Sequence, residues 1–233
     1  MKKLLCIGHR GAAGHAPENT LSSIEKALAL GADWIESDVY AVEGKLVVIH
    51  DDRLEHTTDG SGYVLEQTLE YLRSLNAGNG EQIPFLSEVF DLVSKRAGIN
   101  IELKGPGTAT PTAALIREYI RHHDWQYDQL LVSSFNHHEL HTIKQLLPDI
   151  RIGALTASIP LNYAAFAEDL GAYSINVSLS FINQEFVDDA HRRNLKVYVY
   201  TVNHPEDLLR MKSLGVDGVF TDYPEIVTGI SID

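Results

Sequence analysis

The chain has 233 residues, a length that suits one folded domain, and its formal net charge is −13. Nucleic acids and anionic membrane surfaces are bound mainly through clustered Lys and Arg, so this charge argues against both as partners. No apolar run approaches the roughly 18 residues that a membrane-spanning helix needs, and we expect no stable membrane association.

The first predicted element is a buried strand that begins near Leu4. Only four apolar residues follow Lys2 and Lys3 before Gly8, whereas the apolar core of a signal peptide has about 7–15 residues. We therefore expect a cytoplasmic protein. Cys6 is the one cysteine of the sequence, so it cannot form an internal disulfide and is expected to be a small core residue.

Three helical patterns end in a Leu-Gly pair, at Leu30-Gly31, Leu170-Gly171 and Leu214-Gly215. In each case an apolar stretch begins two or three residues later. Glycine just past a helix supplies the left-handed turn that ends it, so each pair predicts a helix followed by a strand.

Apolar residues at helical spacing mark three of the helices. They are Leu21, Ile24 and Leu28; then Leu140, Ile143 and Leu147; then Leu208, Leu209 and Met211. Ser22 and Glu25 match a capping box for the first helix, and Pro205 suits the first turn of the last.

Short apolar runs rich in β-branched residues lie between the helices. They are Leu46–Ile49, Ile99–Leu103, Leu130–Val132, Ile152–Leu155, Ile175–Val177 and Val197–Val202. Continuous apolar strands that alternate with amphipathic helices predict a parallel sheet covered by helices. About eight such units fit, counted from Leu4, which predicts an α/β fold, a (β/α)8 TIM barrel. A doubly wound open sheet is the main alternative.

Residues 51–85 break this rhythm with two turn-rich stretches, Asp59–Gly62 and Asn76–Gly80. We expect a single domain over 1–233, with this segment as a small insertion after the second strand region, on the rim that carries the chemistry. The glycines of Gly8–Gly14 are spaced GxxGxxG, which is not the GxGxxG of a dinucleotide site.

Polar residues that end apolar strands are the candidate functional groups, because a TIM barrel carries its site at those ends. Strand two ends with Glu36 and Asp38, and strand three with Glu102 and Lys104. Alternation along a strand puts each pair on one face. Three carboxylates at one rim resist ionising together unless a cation lies among them, and oxygen ligands suit Mg²⁺ or Ca²⁺. Any one carboxylate could equally be a salt-bridge partner, and it is the repeated pattern that favours function.

Two histidines end predicted strands near these carboxylates. His9 follows the first strand, and His50 follows Leu46–Ile49, which we interpret as the continuation of strand two. The unperturbed pKa of imidazole lies near neutrality, so the pair suggests a general acid and a general base. His138 and His141 are one residue too close together for an HExxH zinc motif, so both cannot face one metal.

At these residues the sequence resembles the glycerophosphodiester phosphodiesterase family, whose barrel also underlies related phospholipase-type phosphodiesterases. The matching stretches, in the family's order and over essentially the whole chain, are His9-Arg10-Gly11, Pro17-Glu18-Asn19-Thr20, Glu36-Ser37-Asp38, His50-Asp51, Thr57–Gly62, Glu102-Leu103-Lys104 and Thr221-Asp222-Tyr223-Pro224. Each stretch alone is weak evidence, but the ordered set is specific.

The resemblance implies a barrel enzyme that uses one divalent cation to hydrolyse glycerophosphodiesters, such as glycerophosphocholine or glycerophosphoethanolamine. The products would be glycerol 3-phosphate and an alcohol. The residues it implicates are Glu36, Asp38 and Glu102 at the metal, His9 and His50 as acid and base, and Arg10 and Lys104 at the phosphate oxygens. The sequence does not distinguish which histidine is the base, or whether water or the glycerol 2-hydroxyl attacks.

The sequence departs from the family at Tyr200, where the family usually has Trp before Thr-Val-Asn. Tyr200 would keep an aromatic wall in the substrate pocket but would add a hydroxyl. Oligomeric state and head-group preference are left open.

Three other functions compete with this one. An amidohydrolase-type enzyme usually has His-x-His at the first strand end, where this chain has His9-Arg10-Gly11. An inactive binding module would lack one of the histidines or carboxylates, and all five are present. Phospholipase-like action on lipid diesters would need an exposed apolar or basic segment, and none stands out in the sequence.

Overall fold

A computed structural model describes residues 4–229 of the protein. Within this range the strands are β1 (Leu5–Gly8), β2 (Trp34–Val42), β3 (Lys45–Val48), β4 (Gly98–Leu103), β5 (Leu130–Ser134), β6 (Arg151–Thr156), β7 (Ser174–Ser178), β8 (Lys196–Tyr200) and β9 (Gly218–Thr221). All except β3 are parallel neighbours in one sheet, and β1 pairs with both β2 and β9. The sheet therefore closes into an eight-stranded barrel. The predicted (β/α)8 TIM barrel is confirmed, and the open sheet is excluded.

Helices surround the barrel. They are α1 (Leu21–Ala29), α2 (Leu69–Ser74), α3 (Leu86–Val93), α4 (Ala109–His122), α5 (His137–Leu146), α6 (Ala165–Asp169), α7 (Gln184–Arg192), α8 (Pro205–Leu214) and α9 (Glu225–Thr228). The predicted glycine stops are confirmed, since Gly31, Gly171 and Gly215 follow α1, α6 and α8 with φ of 76°, 65° and 77°. These angles lie in the left-handed region that glycine adopts at little cost. None of the helices between residues 4 and 229 has the length and apolar character that crossing a bilayer requires.

The start of α1 differs from the prediction. Thr20 is the N-cap: its backbone is extended, and its Oγ1 accepts a hydrogen bond from the backbone N–H of Ser23 at 3.3 Å. Ser22 already lies inside the helix, where its side chain cannot cap the first turn. The capping box predicted for Ser22 and Glu25 was therefore wrong.

The interpretation of Leu46–Ile49 as a continuation of strand two was also wrong. β3 runs antiparallel to β2, and the two strands form a hairpin. β2 pairs with β4 over Trp34–Val39 and with β3 over Val39–Val42, so the hairpin extends beyond the barrel. The N–H of Ile49 then donates to the carbonyl of Asp38 at 3.0 Å, which brings the chain back to the rim. The predicted strand Val197–Val202 is shorter than expected, because β8 ends at Tyr200.

Side chains alternate between the barrel interior and the helical layer. A small apolar cluster of Ile7, Leu131, Tyr198 and Phe220, with Trp34 packed against it, contains none of the helical side chains. The main core joins the opposite faces of the strands to the helices. Trp34 packs against the cluster inside the barrel. Because side chains alternate along a strand, Glu36 and Asp38 also point into the barrel, nearer the carboxyl end of β2.

Residues 51–85 form two 3-10 turns, Leu54–His56 and Val64–Glu66, followed by α2. Their apolar side chains make a third cluster with residues of β2 and β3, separate from the main core and from the cluster inside the barrel. This segment thus covers the β2–β3 hairpin rather than the barrel itself. That it is an insertion within a single domain stays a prediction.

Candidate active site

A cavity of about 200 Å³ opens at the carboxyl ends of the barrel strands. It is lined by His9, Arg10, Glu36, Asp38, His50, Glu102, Lys104, Phe135, Leu155, Tyr200, Thr201 and Phe220. All eight residues that the sequence singled out are in this lining. The structure adds four uncharged residues that the sequence did not indicate.

Three carboxylates meet in this cavity, because parallel pairing places Asp38 directly beside Glu102 and alternation puts Glu36 on the same face. Each offers an oxygen within 4.8 Å of the others. Burial and the charges of Asp38 and Glu102 raise the pKa of Glu36 well above its ordinary value. Burial and Asp38 likewise raise the pKa of Glu102, although the ammonium of Lys104 opposes the shift.

The donor atoms fit a metal ion. Glu36 Oε2 accepts the backbone N–H of Arg10 at 2.8 Å, while the buried Oε1 has no hydrogen-bond partner within the described residues. A buried, unsatisfied carboxylate oxygen is costly unless a cation or a donor meets it. Two protein cations line the cavity against three carboxylates, so a bound cation would offset the remaining charge. These carboxylates could hold a hard divalent ion.

The two cations of the cavity are each held by carboxylates. Lys104 Nζ donates to Glu102 at 2.9 Å and lies 3.9 Å from Asp38. Burial works against its charged amine, but Glu102 and Asp38 raise the pKa of Lys104 above its ordinary value. Arg10 donates to Glu18 at 2.8 Å, and its Nε lies 3.5 Å from Asp38. Both side chains therefore stay charged, and both line the cavity.

An unusual backbone conformation at Arg10 directs its side chain to the cavity. Arg10 has φ of 52°, a left-handed conformation that is uncommon for residues with a Cβ. Its carbonyl accepts the N–H of Asn19 at 3.0 Å and the hydroxyl of Ser23 at 2.8 Å. A Cβ at Gly11, whose φ is 87°, would lie only 2.4 Å from the Ser23 hydroxyl, so the motif needs glycine there.

Asn19 also holds the carboxylate of Asp38. Its Nδ2 donates to Asp38 Oδ2 at 2.9 Å, and its Oδ1 accepts the backbone N–H of Asp38 at 3.2 Å. One buried side chain thus ties the loop after β1 to the centre of β2. This fixes the carboxylate relative to Arg10.

The carboxylate of Asp222, which lies outside the three-carboxylate cluster, orients His9. Its Nδ1–H donates to Asp222 Oδ1 at 2.7 Å, and Asp222 Oδ2 accepts from Asn203 Nδ2 at 2.5 Å. Burial opposes ionisation of Asp222, yet the hydrogen bonds and the neighbouring positive charge lower the pKa of Asp222 below its ordinary value. With Nδ1 engaged, Nε2 is the nitrogen of His9 that remains for proton exchange.

His50 has the same arrangement. Its Nδ1–H donates to Asp51 Oδ1 at 2.7 Å, and the other oxygen of Asp51 accepts from His56 at 2.9 Å. Burial lowers the pKa of His50 below its ordinary value; Asp38 opposes this shift, and the charges of Arg10 and Lys104 reinforce it.

Tyr200 presents its ring to the cavity and its hydroxyl elsewhere. The hydroxyl donates to the carbonyl of Thr156 at 2.9 Å, which ties β8 to the end of β6. The ring packs edge-to-face against Phe135, with centroids 5.9 Å apart. The extra hydroxyl expected from the sequence therefore already has a protein partner.

Asn19, Asp51 and Asp222 lie in the stretches that match the family, and Asn203 lies in the Thr-Val-Asn stretch after Tyr200, but the sequence indicated no function for any of the four. Asp222 follows β9 and Asn203 follows β8. Both satisfy the criterion applied to the earlier strands, a polar residue just beyond an apolar strand. Applied to the last two strands, that criterion would have found them.

Comparison with known proteins identifies the family of the chain. Residues 9–226 match the model of the "Glycerophosphoryl diester phosphodiesterase family". A glycerophosphodiester phosphodiesterase of Caldanaerobacter subterraneus is 37% identical, with 98% of each chain covered. Another, of Bacillus altitudinis, is 36% identical, with 94% of each chain covered.

A solved structure with the same fold is a phosphodiesterase of Oleispira antarctica in complex with the product sn-glycerol-3-phosphate. It is 36% identical, with a TM-score of 0.89, and covers 97% of this chain and 95% of its own. A glycerophosphodiester phosphodiesterase of Thermotoga maritima has a TM-score of 0.80 at 26% identity, covering 99% of this chain and 100% of its own. The chain therefore belongs to the glycerophosphoryl diester phosphodiesterase family and is an enzyme that hydrolyses glycerophosphodiesters.

Proposed function

We propose that the protein is a metal-dependent hydrolase of small glycerophosphodiesters, such as glycerophosphocholine and glycerophosphoethanolamine. It would release glycerol 3-phosphate and an alcohol by histidine acid–base catalysis. The Oleispira relative binds sn-glycerol-3-phosphate as its product, which supports the same product here.

One observation carries the proposal: two imidazoles line the cavity of the carboxylate cluster, and each gives its Nδ1–H to a separate carboxylate. His9 is paired with Asp222 and His50 with Asp51, both at 2.7 Å. Each carboxylate sets the tautomer and favours the imidazolium when a proton arrives at Nε2. Two such groups in one cavity suit a reaction that removes one proton and supplies another.

A phosphodiester is an anion that repels nucleophiles, so the site must offset its charge. Arg10 and Lys104 line the cavity with charged donors, and we assign them to the non-bridging phosphate oxygens. Glu36, Asp38 and Glu102 would hold one divalent cation, Mg²⁺ or Ca²⁺. When bound, the cation supplies Lewis-acid stabilisation of charge on the phosphoryl oxygens.

The proton transfers follow from the two imidazoles. One histidine takes the proton of the attacking oxygen as its bond to phosphorus forms, and the other protonates the alcohol oxygen as its bond to phosphorus breaks. The attacker is water, or the substrate's own 2-hydroxyl followed by water opening a cyclic phosphate. Following the reaction by ³¹P NMR distinguishes the routes, since the second passes through a cyclic diester.

The direct test measures hydrolysis of glycerophosphocholine and glycerophosphoethanolamine before and after EDTA treatment, and again after adding Mg²⁺ or Ca²⁺. We expect activity to be lost on chelation and restored by a cation. Activity that is indifferent to EDTA would overturn the metal assignment.

The histidine assignment is tested by His9→Ala and His50→Ala, each expected to lower kcat by about 10²-fold or more. His122→Ala is the control, because that exposed histidine lies at the last residue of α4, away from the cavity. A near-wild-type rate in either cavity variant would remove that histidine from the mechanism.

A further inference from the structure

Unsatisfied polar atoms are concentrated inside the barrel, next to the active-site cavity. Nine buried side-chain nitrogen or oxygen atoms between residues 4 and 229 have no hydrogen-bond partner, and four of them belong to Asn100, Ser133 and Asn176. All three side chains are fully buried. We call these three residues the inner polar cluster.

The inner polar cluster faces the barrel axis. Asn100 lies two residues before Glu102 in β4, and Ser133 of β5 is the parallel partner of Glu102. Asn176 of β7 pairs with Tyr198, which belongs to the apolar cluster inside the barrel. Because side chains alternate along a strand and paired residues share a face, all three side chains point inward.

Gly153 lets these side chains approach one another. It lies on β6, between Ser133 of β5 and Ser174 of β7. A Cβ at Gly153 would lie 2.8 Å from Asn176 Nδ2 and 2.9 Å from Ser174 Oγ, so the amide of Asn176 lies over this glycine. Neighbouring strands are about 4.8 Å apart. Ser133 and the amide of Asn176 therefore face each other across a gap that suits a bridging water.

The chemistry of the inner polar cluster indicates which ligand it takes. An amide has two N–H donors and a carbonyl acceptor, and Asn100 uses none of them within the described residues. Ser174 already donates to Asn176 Oδ1 at 2.9 Å, so it is the Nδ2 of Asn176 that lacks a partner. Such groups are costly to bury unless a ligand completes their hydrogen bonds. Water both donates and accepts, whereas a metal cation would be repelled by the N–H groups.

The inner polar cluster also adjoins the carboxylates of the cavity. Asn100 is the direct parallel partner of Glu36, just as Ser133 is of Glu102. Glu36 is buried, and its Oε1 likewise has no hydrogen-bond partner among residues 4–229. Hydrogen bonds from outside the ligand set hold metal-binding carboxylates in position. A water bound to the cluster lies where it can supply such a bond.

We propose that the inner polar cluster binds at least one fixed water molecule, and that Asn100 acts through this water as a positioning residue for Glu36 and Glu102. The positioning role rests on the proposed function, because it takes these carboxylates as ligands of a divalent cation. The water accepts the N–H groups of Asn100 and Asn176. It donates to the hydroxyl of Ser133 and to a carboxylate oxygen, which completes its four hydrogen bonds.

A high-resolution crystal structure of the wild type tests the water. We expect electron density for a water within hydrogen-bond distance of Asn100 and of Ser133 or Asn176. The same density should be missing from Asn100→Leu, whose side chain is similar in size but apolar. An Asn100 amide that bonds directly to protein atoms, with no water beside it, would overturn the proposal. A cation at this position would overturn it as well.

The affinity for Mg²⁺ or Ca²⁺ tests the positioning role. Thermal unfolding across a cation titration gives an apparent Kd, which should rise about 10- to 100-fold in Asn100→Leu, the scale for residues that support metal ligands. Asn100→Ser keeps a hydroxyl and leaves room for water, so it should recover part of that loss. Ser133→Ala removes one hydroxyl and adds no bulk, and its Kd should rise about fivefold. This second variant decides the question if Asn100→Leu does not fold.

Thr112→Val is the matched control. The Thr112 hydroxyl is also buried and lacks a partner in the described part of the chain, but it lies on α4, in the helical layer. Its removal should leave the cation Kd unchanged. A wild-type Kd in both Asn100→Leu and Ser133→Ala would make the inner polar cluster purely structural and overturn the positioning role. If neither cation stabilises the wild type, the metal assignment fails and the positioning role fails with it, while the crystal structure decides the water site separately.

Discussion

Each cavity histidine depends on a carboxylate that does not line the cavity. Asp222 receives the Nδ1–H of His9, and Asn203 in turn donates to Asp222 and accepts its backbone N–H at 2.9 Å. The carboxylate is thus held from both sides. A residue that only orients a catalytic group should affect turnover more than substrate binding.

Asp222→Asn is expected to lower kcat by about 10- to 100-fold while KM changes little. The amide is nearly isosteric but favours the other tautomer of His9, which puts the proton on the wrong nitrogen. Steady-state kinetics with glycerophosphocholine give the split, and thermal unfolding checks the fold. A variant that is destabilised but keeps the wild-type kcat would show that Asp222 is purely structural.

His50 makes stability depend on pH in a defined direction. Its pKa in the folded protein is lowered, first by burial, so near and below pH 6.5 the unfolded chain binds the proton more readily. The unfolded state then gains protons that the folded state lacks, and stability falls as pH falls through this window. Above the unfolded pKa the effect is absent.

We therefore expect His50→Gln to gain stability relative to the wild type when pH is lowered from about 7.5 to about 5.5. Thermal unfolding in EDTA at both values measures the difference, with His122→Gln as the exposed control. A constant difference between wild type and His50→Gln would contradict the lowered pKa.

At the level of single residues, the sequence predicted the groups that end strands and missed those that act through another side chain. Glu36, Asp38, Glu102 and His9 interrupt or end apolar runs, which is a local signal. The pairing of His9 with Asp222 joins residues 213 positions apart. Only closure of the barrel between β1 and β9 brings them together, and no local pattern encodes it.

Among the elements, helix ends were easier to predict than strand directions. The Leu-Gly stops depend on glycine alone, whereas β3 has the apolar character of a barrel strand although it runs antiparallel beyond the barrel. Val47 and Ile49 are buried against residues 54–83 rather than under a helix of the barrel. An apolar run indicates that a strand is buried, but it does not indicate which element of the fold packs against that strand.

The start of α4 shows one element stabilising another. Thr108, its N-cap, makes no side-chain capping bond. Glu139 of α5 takes that role from outside, accepting the N–H of Gly107 at 2.7 Å and of Ala109 at 2.8 Å. A carboxylate at a helix N-terminus also interacts favourably with the helix dipole.

Glu139→Ala should therefore lower the free energy of unfolding by about 1–2 kcal/mol, the usual scale for a lost N-cap. Urea denaturation measures it. Glu118→Ala, on an exposed position of the same helix α4, should change stability by less than about 0.5 kcal/mol. Equal effects of the two substitutions would mean that Glu139 does not cap α4.

For the whole molecule, the barrel and its active rim could be predicted because strand-helix alternation is a property of the entire sequence. The grouping of four exposed apolar side chains at that rim could not. Phe135, Ile159, Leu161 and Phe181 are separated in sequence, and each alone is an ordinary loop residue. They become one surface only because β5, β6 and β7 are adjacent in the barrel.

Closure of the barrel also concentrates three carboxylates, and this predicts how a cation affects overall stability. A cation that binds only the folded state should stabilise it by about 2.7 kcal/mol at 100 times its Kd. Glu36→Gln removes a buried carboxylate whose ionised form is disfavoured by burial and by Asp38, while an amide oxygen can still accept the N–H of Arg10.

In EDTA, Glu36→Gln should consequently be at least as stable as the wild type, and it should lose most of the stabilisation that Mg²⁺ or Ca²⁺ provides. Thermal unfolding across a cation titration measures both quantities, with Glu118→Gln as the control that keeps the wild-type response. If the cation stabilised Glu36→Gln as strongly as the wild type, the ion would bind elsewhere in the chain. The carboxylates of β2 and β4 would then be a structural cluster balanced by Arg10 and Lys104 alone.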